Sequence, residues 1–370
     1  MSADPPRVAL LASFSGAGGV ERMLLNLADG LTGAGYGVDL LTIRRDSPHL
    51  HALPAGVRHL PLPGGHAWAV LPALVRYLRR EPPAGLIAAK DRANRVAVLA
   101  RALAGRPVPL ALRLGTHLGG ARGPHRTVGD RLRGAFYRRA DAVIAVSQSM
   151  ADDLVPRFGL PADRVRVIRN PVVTPGLADL AAAPCPHPWL EDGEPVIVGM
   201  GRFTRQKDFP TLLRAFARLC RQRPARLVLL GDGAGKAACA QLAAELGIAD
   251  RVLLPGFAVN PYAWLARARL FVPSSRWEGS PNALAEALAL GVPCVATDCL
   301  SGPRELLAGG RYGPLVPVGD AERLADAMAA TLAAPLPADM LRQAVREYRQ
   351  DVSAAAYLAA LGLRAVTAGT

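Results

Sequence analysis

Glu278 and Glu286 stand eight positions apart in the segment Arg276-Trp277-Glu278-Gly279-Ser280-Pro281-Asn282-Ala283-Leu284-Ala285-Glu286. The apolar run Leu270-Phe271-Val272 before it reads as a buried strand. The Ala/Leu-rich run after it reads as a helix that ends at Gly291, with Pro293 close behind. Ser280 is the expected N-cap and Pro281 the expected first helical residue. Glu278 then lies in a loop above the strand end. Glu286 lies about 9 Å along the helix at roughly 1.5 Å per residue. A helix N-terminus offers free N–H groups and a positive dipole end, which suit phosphate. A carboxylate one to two turns further on accepts two hydrogen bonds and suits a ribose diol. Two carboxylates beside a diphosphate repel it, so this chemistry demands a cationic clamp elsewhere. An ordinary capped helix with two surface glutamates is the alternative reading.

The clamp is found upstream, in Gly201-Arg202-Phe203-Thr204-Arg205-Gln206-Lys207-Asp208. Arg202 and Lys207 fall in one strand-to-helix loop. A guanidinium fork and an ammonium point charge together can neutralise a diphosphate. Gly231-Asp232-Gly233 and Gly256-Phe257 also fall at strand ends, where they can line a nucleotide pocket. In the first half, Ser15-Gly16-Ala17-Gly18-Gly19-Val20-Glu21 follows a strand and opens a helix. It lacks the third glycine of a dinucleotide fingerprint. Close approach to a phosphate or sugar at Gly18 and Gly19 and a simple tight turn are both open there. His117, in Leu114-Gly115-Thr116-His117, falls at the carboxyl end of another strand. His66 and His125 receive no role.

Positioning these residues takes two α/β units. Strands are expected at 8–13, 38–42, 86–89, 110–114, 142–147 and 165–168, with helices at 20–31, 70–80, 92–104 and 126–139. Residues 171–194, with Pro184, Pro186 and Pro188, read as a linker. The pattern restarts with strands at 196–200, 227–230, 251–254, 270–273, 294–297 and 315–318. Alternating short apolar runs and amphipathic helices imply parallel, doubly wound sheets. The expected division is 1–172 as a first Rossmann-like domain, 173–194 as linker and 195–349 as a second. A tail helix at about 350–370 returns to the first domain. The expected ligand site is the crevice at the strand carboxyl ends.

With 370 residues, 51% of them hydrophobic, the chain can fill two cores. No apolar run reaches membrane-spanning length, and the N-terminal apolar run is too short for a signal peptide, so a soluble, cytoplasmic protein is expected. Five cysteines show no metal-ligand spacing and read as reduced. The net charge of +14 is uneven: residues 1–185 hold 24 basic and 13 acidic side chains, the remainder 20 and 17. That favours an anionic partner for the first half, a membrane surface, a phosphorylated acceptor or nucleic acid, with codon bias as the alternative. Helix 70–80, with Arg76, Arg79 and Arg80 near its end, fits either a bilayer surface or an ordinary amphipathic role. Only Lys90, Lys207 and Lys236 among the 44 basic residues are lysine, so arginine is the default cation.

Together these segments resemble a retaining glycosyltransferase of family 4, with the GT-B fold. The resemblance covers Gly18–Glu21, Val146-Ser147, Val167-Ile168-Arg169-Asn170-Pro171, Gly201-Arg202 with Lys207, Gly231-Asp232-Gly233 and Pro255-Gly256. It is densest at Glu278 with Glu286 and closes with Thr297-Asp298-Cys299-Leu300-Ser301-Gly302-Pro303-Arg304-Glu305-Leu306. It implies two Rossmann-like domains facing each other across a cleft. It also implies that Arg202 and Lys207 hold the donor diphosphate, that Glu286 binds the ribose and that Glu278 contacts the transferred sugar. Ser280, Pro281, Asn282 and Ala283 would meet sugar and phosphate, and Phe257 would lie by the base. His117 corresponds in place to a catalytic histidine, with Arg113 and Thr116 as alternatives. The implied donor is a nucleotide sugar, UDP-linked by preference, used without a metal cofactor. The implied acceptor is a glycan, a lipid-linked sugar or a natural product, with peripheral membrane association and no nucleic acid. The rivals are a non-catalytic basic membrane- or nucleic-acid-binding protein and a nicotinamide-dependent oxidoreductase, the latter opposed by the missing third glycine and the lack of a clear acid at the end of the second strand beyond Asp39.

Overall fold

The computed structural model describes residues 4–16, 18–115 and 127–366. His117, Thr116 and His125 lie outside the described residues. The chain divides into two compact units, one formed by Met1–Val172 with Tyr348–Thr370 and the other by Val173–Glu347.

Unit 1 is a seven-stranded parallel sheet. Its strands are β1 (Arg7–Phe14), β2 (Gly37–Arg45), β3 (Val57–Pro61), β4 (Gly85–Ala89), β5 (Leu110–Leu114), β6 (Ala142–Ala145) and β7 (Val165–Val167). The order is β3-β2-β1-β4-β5-β6-β7, so the direction of winding reverses between β1 and β4. The helices are α1 (Gly19–Gly33), α2 (Leu71–Arg80), α3 (Asp91–Ala104), α4 (Val128–Tyr137) and α5 (Gln148–Phe158). Strands β1, β4 and β5 are apolar along most of their length because both faces are covered, as parallel sheets require. β3 escaped the sequence reading. It is an edge strand whose residues are half-buried or exposed, so it carries no continuous apolar run.

Helix α2 spends its apolar side on the core. Leu74, Tyr77 and Leu78 are buried, with Leu71 and Val75 packed against the same cluster. The ordinary amphipathic reading of this helix therefore holds, and its apolar face is not free for a bilayer.

Unit 2 begins where a linker was expected. Residues 173–194 instead contain α6 (Leu177–Ala182) and a 3₁₀ turn at Pro188–Leu190. The segment is fastened down: Arg267 donates to the carbonyls of Ala181 (3.2 Å) and Ala183 (2.9 Å), and Asn260 donates to that of Leu180 (2.7 Å). Its prolines signal irregular backbone, not a loose tether. The sheet runs β10-β9-β8-β11, all parallel, from β8 (Val196–Met200), β9 (Arg226–Leu230), β10 (Val252–Gly256) and β11 (Leu270–Phe271). A bridge from Phe271 to Cys294 leads on to the parallel pair β12 (Ala296–Thr297) and β13 (Leu315–Val316). The helices are α7 (Phe209–Cys220), α8 (Lys236–Glu245), α9 (Tyr262–Leu265), α10 (Asn282–Ala289), α11 (Pro303–Leu306), α12 (Ala321–Ala333) and α13 (Ala338–Gln343). Here the winding reverses between β8 and β11.

The tail is broken: after α13 a 3₁₀ turn leads to α14 (Gln350–Ala360), which belongs to unit 1. Gln350 Nε2 donates to the carbonyl of Asn26 and to Asp29, both at 2.7 Å, while Tyr357 and Leu358 enter the core beside β1.

Asp39, the acid that an oxidoreductase reading needs, is committed elsewhere. It is the third residue of β2, 1% exposed, and accepts from Arg7 Nε (2.6 Å), Arg58 Nη2 (2.8 Å) and Tyr77 Oη (2.7 Å). Burial pushes its carboxyl pKa up, but the bonds from Arg58, Tyr77 and Arg7 outweigh burial and leave it below its ordinary value of 3.8. A carboxyl depressed by folding stabilises the fold fully above its ordinary value, and that contribution is lost as pH falls through the depressed one. We expect Asp39→Asn to cost about 2–4 kcal/mol at pH 7, because it strips the cations and the phenol of their shared acceptor. Urea unfolding should show this gap at pH 7 and a narrower one below pH 3. Equal stability of the two proteins at pH 7 would contradict it.

Candidate functional site

In both sheets the residues with chemistry gather at the carboxyl edge, and the winding reversals mark where a ligand fits such an edge. In unit 2 the reversal lies between β8 and β11. The loop after β8 carries Arg202 and Lys207, and the loop after β11 carries Glu278. The two meet: Lys207 Nζ donates to Glu278 Oε1 at 2.5 Å, and Ser275 Oγ donates to the same oxygen at 2.6 Å. Glu278 is 7% exposed.

This contact is built by backbone as much as by charge. The Arg276 amide donates to the Gln206 carbonyl (2.8 Å), Gln206 Nε2 to the Trp277 carbonyl (3.0 Å) and Ser274 Oγ to the Lys207 carbonyl (2.8 Å). Arg276 also pairs with Asp208 at 3.1 Å. On the other side, Ser301 Oγ donates to the Glu278 carbonyl (2.7 Å) and Thr297 Oγ1 to that of Ser275 (2.6 Å). The Glu278 loop is thus stitched between residues 206–208 and 297–301. Gly201 directly follows β8, and the Lys207 stem lies against it. A Cβ there would come within 2.7 Å of Lys207 Cε, so a side chain at 201 would displace the ammonium.

Arg202 is exposed and has no ion-pair partner among the described residues. Arg205 is exposed too, as its place in the loop suggested. Glu286 is only 1% exposed, inside α10, and accepts from Tyr262 Oη at 3.2 Å. The carboxyl edges of β9 and β10 are joined by the Gly231 amide, which donates to the Gly256 carbonyl at 2.8 Å. Phe257 follows, 51% exposed. Of the predicted residues, Lys207 and Glu278 are brought into direct contact, while Arg202, Phe257 and Glu286 belong to the same edge without touching that pair in any hydrogen bond or ion pair described.

The start of α10 differs from expectation. The helix begins at Asn282, with Pro281 as the cap residue and no side-chain cap. The Asn282 amide turns back to the Ser280 carbonyl at 2.9 Å, and Pro281 has φ −80° and ψ 74°, an inverse γ-turn. Gly302, at φ +92°, packs on the proline ring so closely that a Cβ would meet Pro281 Cδ at 2.6 Å. Ser280 is therefore not the N-cap. Its hydroxyl donates to Asn282 Oδ1 at 3.4 Å. With the Asn282 amide taken and Pro281 lacking one, Ala283 supplies the amide at this helix end that suits an anion.

In unit 1 the reversal lies between β1 and β4. Gly18 is the cap residue of α1, Gly19 its first residue, and no side chain caps the helix. Glu21, in the first turn, is 6% exposed and accepts from Lys90 Nζ at 2.9 Å. Lys90 follows β4 and also donates to the Ser13 carbonyl at 2.7 Å. Arg113, raised as an alternative to His117, is 2% exposed within β5 and donates to Asn170 Oδ1 at 2.8 Å. Burial pulls its pKa down and the neighbouring Tyr357 of α14 works the other way, so its place is structural. Sequence reasoning passed over Ser275, Tyr262 and the Lys90–Glu21 pair. Only the last had a signal, the rarity of lysine.

Among the described residues no cluster of three or more His, Cys, Asp or Glu side chains is arranged to hold a metal ion. The described cysteines form no disulfide. Burial pushes the Cys299 thiol, close to Glu278, up to about 12. A cavity of about 270 Å³ lined by Pro293, Tyr312, Pro314 and Leu341 lies by the amino ends of β12 and β13, away from these residues.

Two Rossmann-like units built on parallel sheets are the architecture of the GT-B glycosyltransferases. The family description "Glycosyltransferase Family 4" matches residues 17–174 and "Glycosyl transferases group 1" matches residues 194–334, and the chain belongs to this family of group 1 glycosyltransferases. It is 33% identical over 186 residues to the N-acetylgalactosamine-N,N'-diacetylbacillosaminyl-diphospho-undecaprenol 4-alpha-N-acetylgalactosaminyltransferase of Campylobacter jejuni, covering 50% of this chain and 48% of that protein. It is 29% identical over 203 residues to the lipopolysaccharide 1,6-galactosyltransferase of Salmonella typhimurium, covering 53% and 54%. The chain thus aligns with about half the length of these relatives. Among solved structures, Anabaena HepE in complex with UDP and glucose superposes with a TM-score of 0.77 at 20% identity, over 96% of this chain and 99% of that one. No helix among the described residues is long and apolar enough to cross a membrane.

The Lys207–Glu278 contact should be energetically coupled. In a double-mutant cycle with Lys207→Met and Glu278→Gln, we expect a coupling of about 1–3 kcal/mol, with the double variant more stable than the singles predict. Additive effects in urea unfolding would show that the two side chains do not support one another.

Proposed function

We propose that the chain is a retaining glycosyltransferase that moves a hexose or N-acetylhexosamine from a UDP-sugar to a hydroxyl of a glycan or lipid-linked acceptor. The observation that carries this is the Lys207–Glu278 contact across the β8/β11 reversal, with Arg202 exposed in the same loop. Lys207 has three donors and Glu278 takes one, which leaves the ammonium able to meet phosphate oxygens. Arg202 adds a fork, and the start of α10 adds an amide and a dipole. These groups stabilise the negative charge that develops on the departing diphosphate, the largest electrostatic demand of the reaction. Glu278 faces the transferred sugar as its anomeric carbon becomes oxocarbenium-like. Glu286, oriented by Tyr262, receives the ribose, and Phe257 lies beside the base. The acceptor hydroxyl attacks from the face the diphosphate leaves, and a diphosphate oxygen takes its proton. In this reading the cations fill the place of a divalent ion, and His117 is the catalytic histidine of the first domain.

The relatives' names supply the acceptor class: one acts on a diphospho-undecaprenol-linked sugar, another on lipopolysaccharide. The basic excess of the first half fits such anionic carriers at a membrane surface. A non-catalytic binding protein would account for the basic charge but not for Arg202, Lys207 and Glu278 gathered at one strand reversal.

Three outcomes test the proposal. A thermal-shift panel of UDP-, GDP- and ADP-sugars should show stabilisation by a UDP-sugar above the others, and none by any of them would remove the enzyme reading. Lys207→Ala and Glu278→Ala should each lower turnover at least about a hundredfold while circular dichroism stays that of a folded protein. Unchanged turnover in either dismisses the assigned roles. Millimolar EDTA should leave turnover intact, whereas abolition reversed by added Mg²⁺ or Mn²⁺ would refute the metal-free mechanism.

A further inference from the structure

We propose that Lys90 and Glu21 form an acceptor-binding pair in unit 1 that holds hydroxyl groups of the acceptor sugar. This rests on the glycosyltransferase reading and assigns residues that reading leaves without a role. The first argument is compositional. Three of 44 basic residues are lysine, and all three lie in segments that follow the carboxyl end of a parallel strand: Lys90 after β4, Lys207 after β8 and Lys236 after β9. A chain that uses arginine nearly everywhere keeps an ammonium where a compact point charge is needed and a planar fork does not fit.

The second argument is topological. In unit 2 the winding reverses between β8 and β11, and a lysine after β8 meets a glutamate after β11. In unit 1 it reverses between β1 and β4, and a lysine after β4 meets a glutamate after β1. The two sheets carry the same device at the same kind of place, the place where α/β sheets bind ligands.

The third argument is local. Lys90 has φ +81°, a conformation that L-residues with side chains rarely adopt, and Asp208 beside Lys207 has φ +47°. Such strain is retained where the surrounding structure requires a particular aim. Glu21 could serve the α1 dipole without any lysine, so capping does not explain a strained Lys90. The Lys90 side chain is 37% exposed against 8% for Glu21. The ammonium spends two donors on Ser13 and Glu21 and keeps a third. Glu21 offsets its charge, and residues 15–18 after β1 carry no second cation of the kind Arg202 supplies beside Lys207. A pair without that surplus charge suits a polyol hydroxyl better than a phosphate.

The test uses the full chain. Saturation-transfer NMR is run with the methyl α-glycosides of glucose, galactose, N-acetylglucosamine and N-acetylgalactosamine, and ³¹P line broadening with inorganic pyrophosphate. UDP affinity is measured in parallel by calorimetry. Lys90→Gly suits the backbone at φ +81°, and Glu21→Gln keeps the shape while breaking the charge pair. We expect at least one glycoside to bind the wild type and to lose about tenfold or more in affinity in Lys90→Gly, with a smaller loss in Glu21→Gln and UDP affinity unaltered. Glycoside binding equal in wild type and Lys90→Gly overturns the proposal, as does the absence of any glycoside binding. Pyrophosphate binding that depends on Lys90 overturns the ligand class. Failure of every nucleotide sugar to bind the wild type would instead sink the donor reading on which the proposal rests.

Discussion

A carboxylate withdrawn from water needs donors, and Glu278 has two, Lys207 and Ser275. Most of the edge of unit 2 can be understood from that need. Lys207 reaches Glu278 because Gly201, directly after β8, leaves room for its stem. The Glu278 loop holds still because its carbonyls and amides are taken up by the loops on either side. Ser301 at φ +54° and Asp208 at φ +47° are the cost of that stitching, absorbed where the two flanking loops turn. A lysine and a glutamate held from both sides in this way are set by the protein's own bonds, which is what pre-organised electrostatics requires.

The fold was legible because covered parallel strands are apolar runs and their helices amphipathic. β5 and β8 appear with the expected bounds, and the others shift by one to three residues at their ends. β3 was not legible, since an edge strand with half-solvated faces has no such run. The loops holding Arg202, Lys207 and Glu278 were legible through charge placed directly after strands. The start of α10 was not, because the packing of Gly302 on Pro281 comes from a residue 21 positions away. The same holds for Ser275 and Tyr262: a hydroxyl that orients a carboxylate looks like any other hydroxyl until the chain folds.

The fate of Asp39 shows how position within a strand decides chemistry. An acid at the end of β2 would point toward a ribose. Asp39 lies near the start of that strand, and Arg7, Arg58 and Tyr77 surround it. The glycine loop after β1 is thus left without the acid that an oxidoreductase needs there. What stands beside it is the Lys90–Glu21 pair.

Arginine and lysine divide the work of this chain. Several guanidiniums brace: Arg267 ties down α6, Arg113 fills the space between β5 and α14, and Arg58 and Arg7 share Asp39. Arg267, Arg58 and Arg7 each make more than one fixed bond to carbonyls or carboxylates, the geometry a planar fork provides. Lys207 and Lys90 each make one contact with a glutamate at a strand reversal and keep donors in reserve. A reserve donor has no value to a folded chain alone, since every unmade bond is a bond to water. It has value to a chain that must let go of one partner and take another during a reaction. On the proposed reading, that difference separates residues that hold this fold together from residues that use it.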